Sequence, residues 1–372
     1  MTINRVEIKD FLVFRDEFSA DFCPGVNVLI GGNGTGKTTL LKVMYRMCNA
    51  GKNGNSRYTE EYFFASGWKG MELSSRPFDY LRMEASAKGL KNRICVKSLN
   101  QSGLGEDEGG GDKVIKDGKW VIYRSDEFVD EYTKSNSASY GDMQDELEFT
   151  SADFKPLPAI YIPANDLLTH SKGLSEMIKD YEMDFDATQV DILKNAQRPS
   201  TRDIKPNCGK VIMKIKDIIG GEVIFVNGRF YIKKDNGLSV EFAVEASGFK
   251  RLGLLWKLLR NGLLESGTVL FWDEPENSLN PENVPTLVDI LLELSRNGVQ
   301  IFIATHSELL ASYFAVNRNS ADEVLFTALY KDGGQIKANT GKRFDILEPN
   351  NLLSEPVKLY EKELKKGLGG NG

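Results

Sequence analysis

The stretch Gly31-Gly32-Asn33-Gly34-Thr35-Gly36-Lys37-Thr38 constrains this chain most, because it fits the pattern G-x-x-x-x-G-K-[ST] between an apolar run and a helix start. Val26, Val28, Leu29 and Ile30 read as a buried strand, and Thr38-Thr39-Leu40-Leu41 opens a helix. Glycines let backbone N–H groups close around an anion, and the helix N-terminus aims its positive dipole end at the same place. Gly31, Gly32, Asn33, Gly34, Thr35, Gly36, Lys37, Thr38 and Thr39 are therefore expected to cradle phosphate. Lys37 would reach the β and γ phosphates, and the Thr38 hydroxyl would ligate Mg²⁺.

A chain of 372 residues has room for one large domain or two, and 41% apolar with 27% charged residues is ordinary for a globular protein. Met1-Thr2-Ile3-Asn4-Arg5 opens without an apolar signal region, and charges such as Lys257 and Arg260 interrupt the later apolar runs. The expectation is a cytoplasmic protein with no membrane span. Cys23, Cys48, Cys95 and Cys208 lack C-x-x-C spacing, which argues against a zinc site or a disulfide framework. A net charge of −6 disfavours a generally sticky nucleic-acid coat, though a local basic groove is compatible with it.

Between residues 51 and 157 the pattern weakens. Ser102 to Asp112, SGLGEDEGGGD, reads as a loop, and KVIKDGKWVIY after it reads as a hairpin about Asp117-Gly118. An apolar strand returns at Ala159 to Asp166, followed by a mostly helical pattern to residue 218 in which Leu167, Leu168, Leu174, Met177, Ile178 and Tyr181 share a face. Glu222 to Phe242 then gives three short strands around Asn227-Gly228 and Asn236-Gly237.

The second chemical landmark is TVLFWDEPENSLNP, Thr268 to Pro281. An apolar strand ending in Asp273-Glu274 sets two carboxylates at the carboxyl edge of a sheet, where ligands of open α/β folds collect. Asp273 would hold Mg²⁺ through water opposite Thr38, and Glu274 would polarise the attacking water. One helix on, from about Val284 to Asn297, VQIFIATHS supplies a further strand ending at Thr305-His306-Ser307. His306 is one of two histidines, and its strand-end place suits a hydrogen bond to the γ phosphate or the attacking water; His170 sits in a polar helical context.

Together, the phosphate loop, Asp273-Glu274-Pro275 and Ala304-Thr305-His306-Ser307 resemble the ABC-type ATPases, in the branch with SMC-like and RecF-like DNA-repair ATPases and the OLD ATPases of phage defence. The N-terminal INRVEIKDFLVF leading into GVNVLIGGNGTGKTTLL is similar to the start of those proteins. The resemblance implies an α/β fold: an ABC-type P-loop NTPase sheet with an inserted α/β lobe and a helical signature lobe. The expected divisions are residues 1–50 and 246–372 for the ATPase core, 51–157 for the inserted lobe and 158–245 for a helical lobe with a β meander.

The family's signature motif, which touches the nucleotide of a second subunit, is matched in part by EASGFKRL, with Ser247 and Gly248 at the Ser-Gly positions and Phe249 in place of the second glycine. Ser247 would cap the following helix toward phosphate. Asn280 stands where the family commonly has aspartate, and Asn165 offers the only amide near the position of a metal-contacting glutamine. The implied cofactors are ATP and Mg²⁺, and the implied assembly is a head-to-tail homodimer formed on ATP. The 66 residues after His306 are too short for the nuclease domain of OLD proteins, so a separately encoded effector is expected, in phage defence or a toxin-type system. The alternatives are a RecF-like clamp on DNA or a nucleotide-dependent scaffold with negligible turnover. For the clamp, Lys88, Lys91, Arg93 and Lys97, or Arg198, Arg202, Lys205 and Lys210, would form the basic face.

Overall fold

The structure, a computed structural model, describes residues 1–49, 80–87, 90–97, 121–123, 157–166, 168–174, 186–201 and 206–367. The loop expected at 102–112, the turn at Asp117-Gly118, Leu167, the helical pattern through Met177, Ile178 and Tyr181, and Lys88, Arg202 and Lys205 lie outside the described residues.

The strands of the described residues form three sheets. The central one has the order β14-β13-β3-β12-β11-β7, built from β3 (Val26–Gly31), β7 (Ala159–Ile162), β11 (Val269–Asp273), β12 (Gln300–Ala304), β13 (Val324–Asp332) and β14 (Gln335–Gly341). Its strands β13, β3, β12, β11 and β7 run parallel, and β14 returns antiparallel as a hairpin on β13. Parallel strands covered on both faces read as continuous apolar runs, which is the pattern of VLFWD and QIFIA.

Alternation sorts those side chains onto two cores. Val26, Val28, Ile30, Leu270, Trp272, Ile301 and Ile303 face one, with the helices α2 (Ala187–Gln197), α3 (Pro206–Ile219), α4 (Ser247–Arg260), α5 (Val284–Arg296) and α6 (Glu308–Asn317). Leu29, Phe271 and Phe302 face the other, with α1 (Lys37–Asn49). The stacked Phe271 and Phe302 rings lie 5.1 Å apart, and burying each such ring stabilises the fold by roughly 2–3 kcal/mol.

The second core is closed by an antiparallel sheet of order β2-β1-β4-β5-β6: β1 (Thr2–Phe11), β2 (Phe14–Asp21), β4 (Tyr80–Ala87), β5 (Leu90–Lys97) and β6 (Val121–Tyr123). Thus β4, β5 and β6 belong to the 51–157 stretch in sequence, yet β4 pairs along β1 and continues the N-terminal sheet. Likewise β7, at the head of the 158–245 stretch, is an edge strand of the central sheet.

This antiparallel sheet is fixed to the central one by a side chain. The buried Gln300 amide accepts the Ile3 N–H at 2.7 Å and donates to the Ile3 carbonyl at 2.7 Å and the Cys23 carbonyl at 2.8 Å, replacing a strand pairing with side-chain bonds. The expected meander is present as β8 (Gly221–Val226), β9 (Arg229–Lys234) and β10 (Ser239–Glu241), with its first turn at Asn227-Gly228. The chain ends its described course in α7 (Asn351–Gly367). No helix of the described residues is long and apolar enough to cross a membrane.

Asp186 joins α2 to α1. Its carboxylate caps α2 by accepting the Thr188 N–H at 2.9 Å and also takes the Lys42 ammonium. Burial raises its pKa, but the Lys42 bond and charge and the Thr188 bonds outweigh that and hold it below the usual carboxylate value. A group whose folded pKa is depressed stabilises above its unfolded pKa and loses that contribution as pH falls through the folded one. Asp186→Ala is expected to cost about 2 kcal/mol at pH 7. In urea melts, its difference from wild type should shrink steadily below pH ~4. An undiminished difference at low pH would detach the effect from the charged carboxylate.

Candidate active site

The phosphate loop leaves β3 at Gly31 and enters α1 at Lys37, so the strand, loop and helix stand in the order expected. Gly36 has φ +87°, and a Cβ there would come within 2.7 Å of the Phe14 ring and 2.8 Å of Val13, so the start of β2 packs directly against the loop. Lys37 is buried, and its ammonium donates to the carbonyls of Gly31 at 2.8 Å and Gly32 at 3.1 Å. Burial pulls its pKa down to about 8, partly opposed by the charges of Asp273 and Glu274. The Thr35 hydroxyl bonds the Gly32 carbonyl at 2.9 Å, which stiffens the loop.

Two strands away, β11 delivers Asp273 to the same edge. The Thr38 hydroxyl donates to Asp273 Oδ2 at 2.9 Å, so residues 235 apart in sequence meet. Burial raises the Asp273 carboxyl, the Thr38 bond lowers it, and neighbouring Glu274 raises it further; the balance lies above the usual value. The Tyr161 hydroxyl, from the neighbouring β7, lies 3.4 Å from the same oxygen. Its phenol pKa is driven well above the ordinary value, first by burial and then by the Asp273 charge.

Glu274 follows in the left-handed region at φ 47°, a conformation costly for a residue with a Cβ and common where a site over-determines the backbone. Three bonds hold it: its N–H donates to the Ala304 carbonyl at 2.8 Å, and its own carbonyl accepts Arg251 at 2.8 Å and the Asn277 N–H at 3.1 Å. His306, at the end of β12, places Nε2 4.0 Å from Glu274 Oε1, both side chains being a little over a third exposed. Burial and the Lys37 charge lower the His306 pKa, and Glu274 opposes them.

Two expected residues sit differently. Ala246 occupies the N-cap of α4 and gives no side-chain cap bond, while Ser247 is the first helical residue and exposed, so its hydroxyl does not cap the helix. Gly248 is buried because a Cβ there would lie 2.9 Å from the Ser278 carbonyl, so α4 packs on the loop after Glu274. Asn165 is exposed in the bend beyond β7, and no hydrogen bond joins it to Thr38 or Asp273; Tyr161 is the residue of this segment that reaches Asp273. Asn280 caps the short turn Pro281–Asn283 by accepting the Glu282 N–H at 3.1 Å.

Two further charged residues, Arg251 and Glu276, bear on this edge. The buried Arg251 guanidinium bonds the carbonyls of Glu274 and Ala164, joining α4 to both strand ends. Glu276 accepts the Thr305 hydroxyl. Their common signal was charge inside otherwise apolar or turn-forming segments, EASGFKRLGLLW and DEPENSL, without a partner nearby in sequence.

The residues present fit ATP and Mg²⁺. A hydroxyl and a carboxylate are the hard oxygen donors Mg²⁺ takes, and a buried lysine beside a glycine-rich loop at a helix N-terminus matches a polyphosphate.

Fold and edge residues together define a P-loop ATPase of mixed α/β architecture. The chain belongs to the AAA-domain ATPases: a family model described as "AAA domain, putative AbiEii toxin, Type IV TA system" matches residues 119–312, and a second, "AAA domain", matches residues 5–197. Among solved structures, the SMC head bound to the C-terminal winged-helix domain of ScpA has a TM-score of 0.50 at 13% identity, covering 92% of this chain and 98% of that one. The SMC head domain from Thermotoga maritima has a TM-score of 0.48 at 13% identity, covering 92% and 100%. The Pyrococcus furiosus SMC head with an extended coiled coil, bound to the C-terminal domain of ScpA, has 0.46 at 12%, covering 98% and 100%. No curated protein matches the chain.

Proposed function

We propose that this chain binds and hydrolyses ATP, pairs head to tail with a second copy when ATP is bound, and thereby controls a separately encoded effector in a phage-defence or toxin-type system. The observation that carries the reading is the 2.9 Å bond between Thr38 and Asp273, with Glu274 and His306 at the same sheet edge. Gly31 to Thr39 would hold the phosphates, and Thr38 with Asp273 would hold Mg²⁺, which neutralises phosphate charge when bound. Lys37 would exchange its loop carbonyls for phosphate oxygens. Glu274 would take a proton from water as it attacks the γ phosphorus, releasing ADP and inorganic phosphate, and His306 would donate to the γ phosphate or orient the water.

Support for pairing comes from α4. Ser247 and the exposed Ala246 leave the start of that helix open, so its unpaired backbone N–H groups are available to a nucleotide held by another copy. Because closure consumes binding energy, its product is a conformational signal, which suits an effector. The family model's description, with its toxin and type IV system, favours that setting over DNA clamping.

Light scattering tests the reading. In a Glu274→Gln background, which preserves bound ATP, the mass should double when ATP is added. Ser247→Arg should abolish the doubling while leaving the monomer's ATP affinity within about twofold, since added bulk and side-chain entropy fall where a helix N-terminus must meet phosphate. A mass indifferent to ATP in both proteins would overturn the head-to-tail mechanism.

A further inference from the structure

Glu276 lies beyond the residues given roles above, and its surroundings are unusual for a carboxylate. It is largely buried, one oxygen, Oε2, has no hydrogen-bond partner among the described residues, and burial raises its pKa. An enclosed carboxylate with an unpaired oxygen is costly, and such a group in a folded protein needs a reason. Its bonded oxygen supplies one. Oε1 accepts the Thr305 hydroxyl, and the backbone N–H of His306 also favours its charged form.

Thr305 is itself fully engaged. Its N–H donates to the Leu29 carbonyl at 3.0 Å, and its hydroxyl, while donating to Glu276, accepts the Ser307 N–H at 2.9 Å. The bonds therefore run from the loop after β11, through one carboxylate, to three consecutive residues at the end of β12. That loop carries Glu274, and the strand end carries His306.

We propose that Glu276 is a positioning residue, which ties the end of β12 to the Asp273-Glu274 turn and so fixes the His306 imidazole at its 4.0 Å distance from Glu274. It does not serve as a second base: the oxygen that makes a bond is committed to Thr305, and the other is enclosed. The Arg251 charge, which feels Glu276 more strongly than any other carboxylate, compensates it from the α4 side. The effect on turnover rests on the ATPase reading above, whereas the effect on His306 does not.

Two histidines in the chain make the test direct. In protein carrying ¹³C-labelled histidine, the His306 ring signals are assigned by their loss in His306→Asn and titrated by NMR without nucleotide. Thr305→Val removes the hydroxyl at nearly constant shape. The freed imidazole should gain water, and its pKa should rise toward the ordinary imidazole value. Thr305→Ser, which keeps the hydroxyl, should retain the wild-type titration and separates loss of the bond from general disturbance of the strand end.

In hydrolysis assays Thr305→Val and Glu276→Gln should each lower kcat about tenfold with the KM for ATP within twofold. The double variant should be no slower than the worse single one, since both cut the same link. An unmoved His306 titration in Thr305→Val, or independent and multiplying losses in the double variant, would overturn the proposal. Wild-type protein with no hydrolysis would overturn the ATPase reading alone, leaving the titration to decide the role of Glu276.

Discussion

Glu274→Gln protein is expected to bind ATP with near wild-type affinity and to hydrolyse it at least ~10²-fold more slowly, the lower end of what a positioned general base contributes. The loss corresponds to about 2.7 kcal/mol of barrier. Of the carboxylates gathered at the sheet edge, Asp273 is bonded to Thr38 and Glu276 to Thr305, which leaves Glu274 with a partly exposed side chain beside His306. Glutamine keeps the shape and removes the proton acceptor. Phosphate release under saturating ATP measures the rate, and equilibrium titration measures the affinity. A rate within a few fold of wild type would move the base elsewhere.

Lys37→Ala should fail one step earlier, losing ATP binding by ~10²-fold or more, as expected when a charge-assisted contact to phosphate is removed from a largely enclosed site. Its ammonium is pointed into the loop and held by the carbonyls of Gly31 and Gly32, with no anion bonded to it among the described residues. Calorimetric titration with ATP reads the loss, and a thermal melt checks that the loop's packing survives. Wild-type affinity in this variant would remove the phosphate-loop reading altogether.

The parts of this site that were legible in the sequence share one property: each is set by a local pattern. The phosphate loop needs its glycines, Lys37 and Thr38 in a fixed order, and Asp273 and His306 follow from apolar runs ending in polar residues. What escaped depends on partners far along the chain. Arg251 bonds Ala164, 87 residues away, and the Tyr161 hydroxyl meets Asp273 across 112. The capping role expected of Ser247 failed for a local reason: the helix begins one residue earlier than a serine cap requires, which puts Ser247 inside its first turn. The strands β4 and β5 were hidden within a stretch read as an insertion because pairing with β1 leaves no mark on a sequence beyond ordinary alternation.

The bonds of Gln300 and the packing of Phe14 have a mechanical consequence. The antiparallel sheet is pinned at several separated points, by Gln300 at the start of β12, by Phe14 against Gly36 at the phosphate loop and by Asp16 of β2, which accepts the Gln335 amide of β14. A plate held at several separated points cannot swing about one of them without breaking another. This flank of the molecule is accordingly the braced one. On the opposite flank, α4 is coupled to the Glu274 turn and the bend after β7 through the guanidinium of Arg251 and, beside it, the Lys250 pair with Asp166.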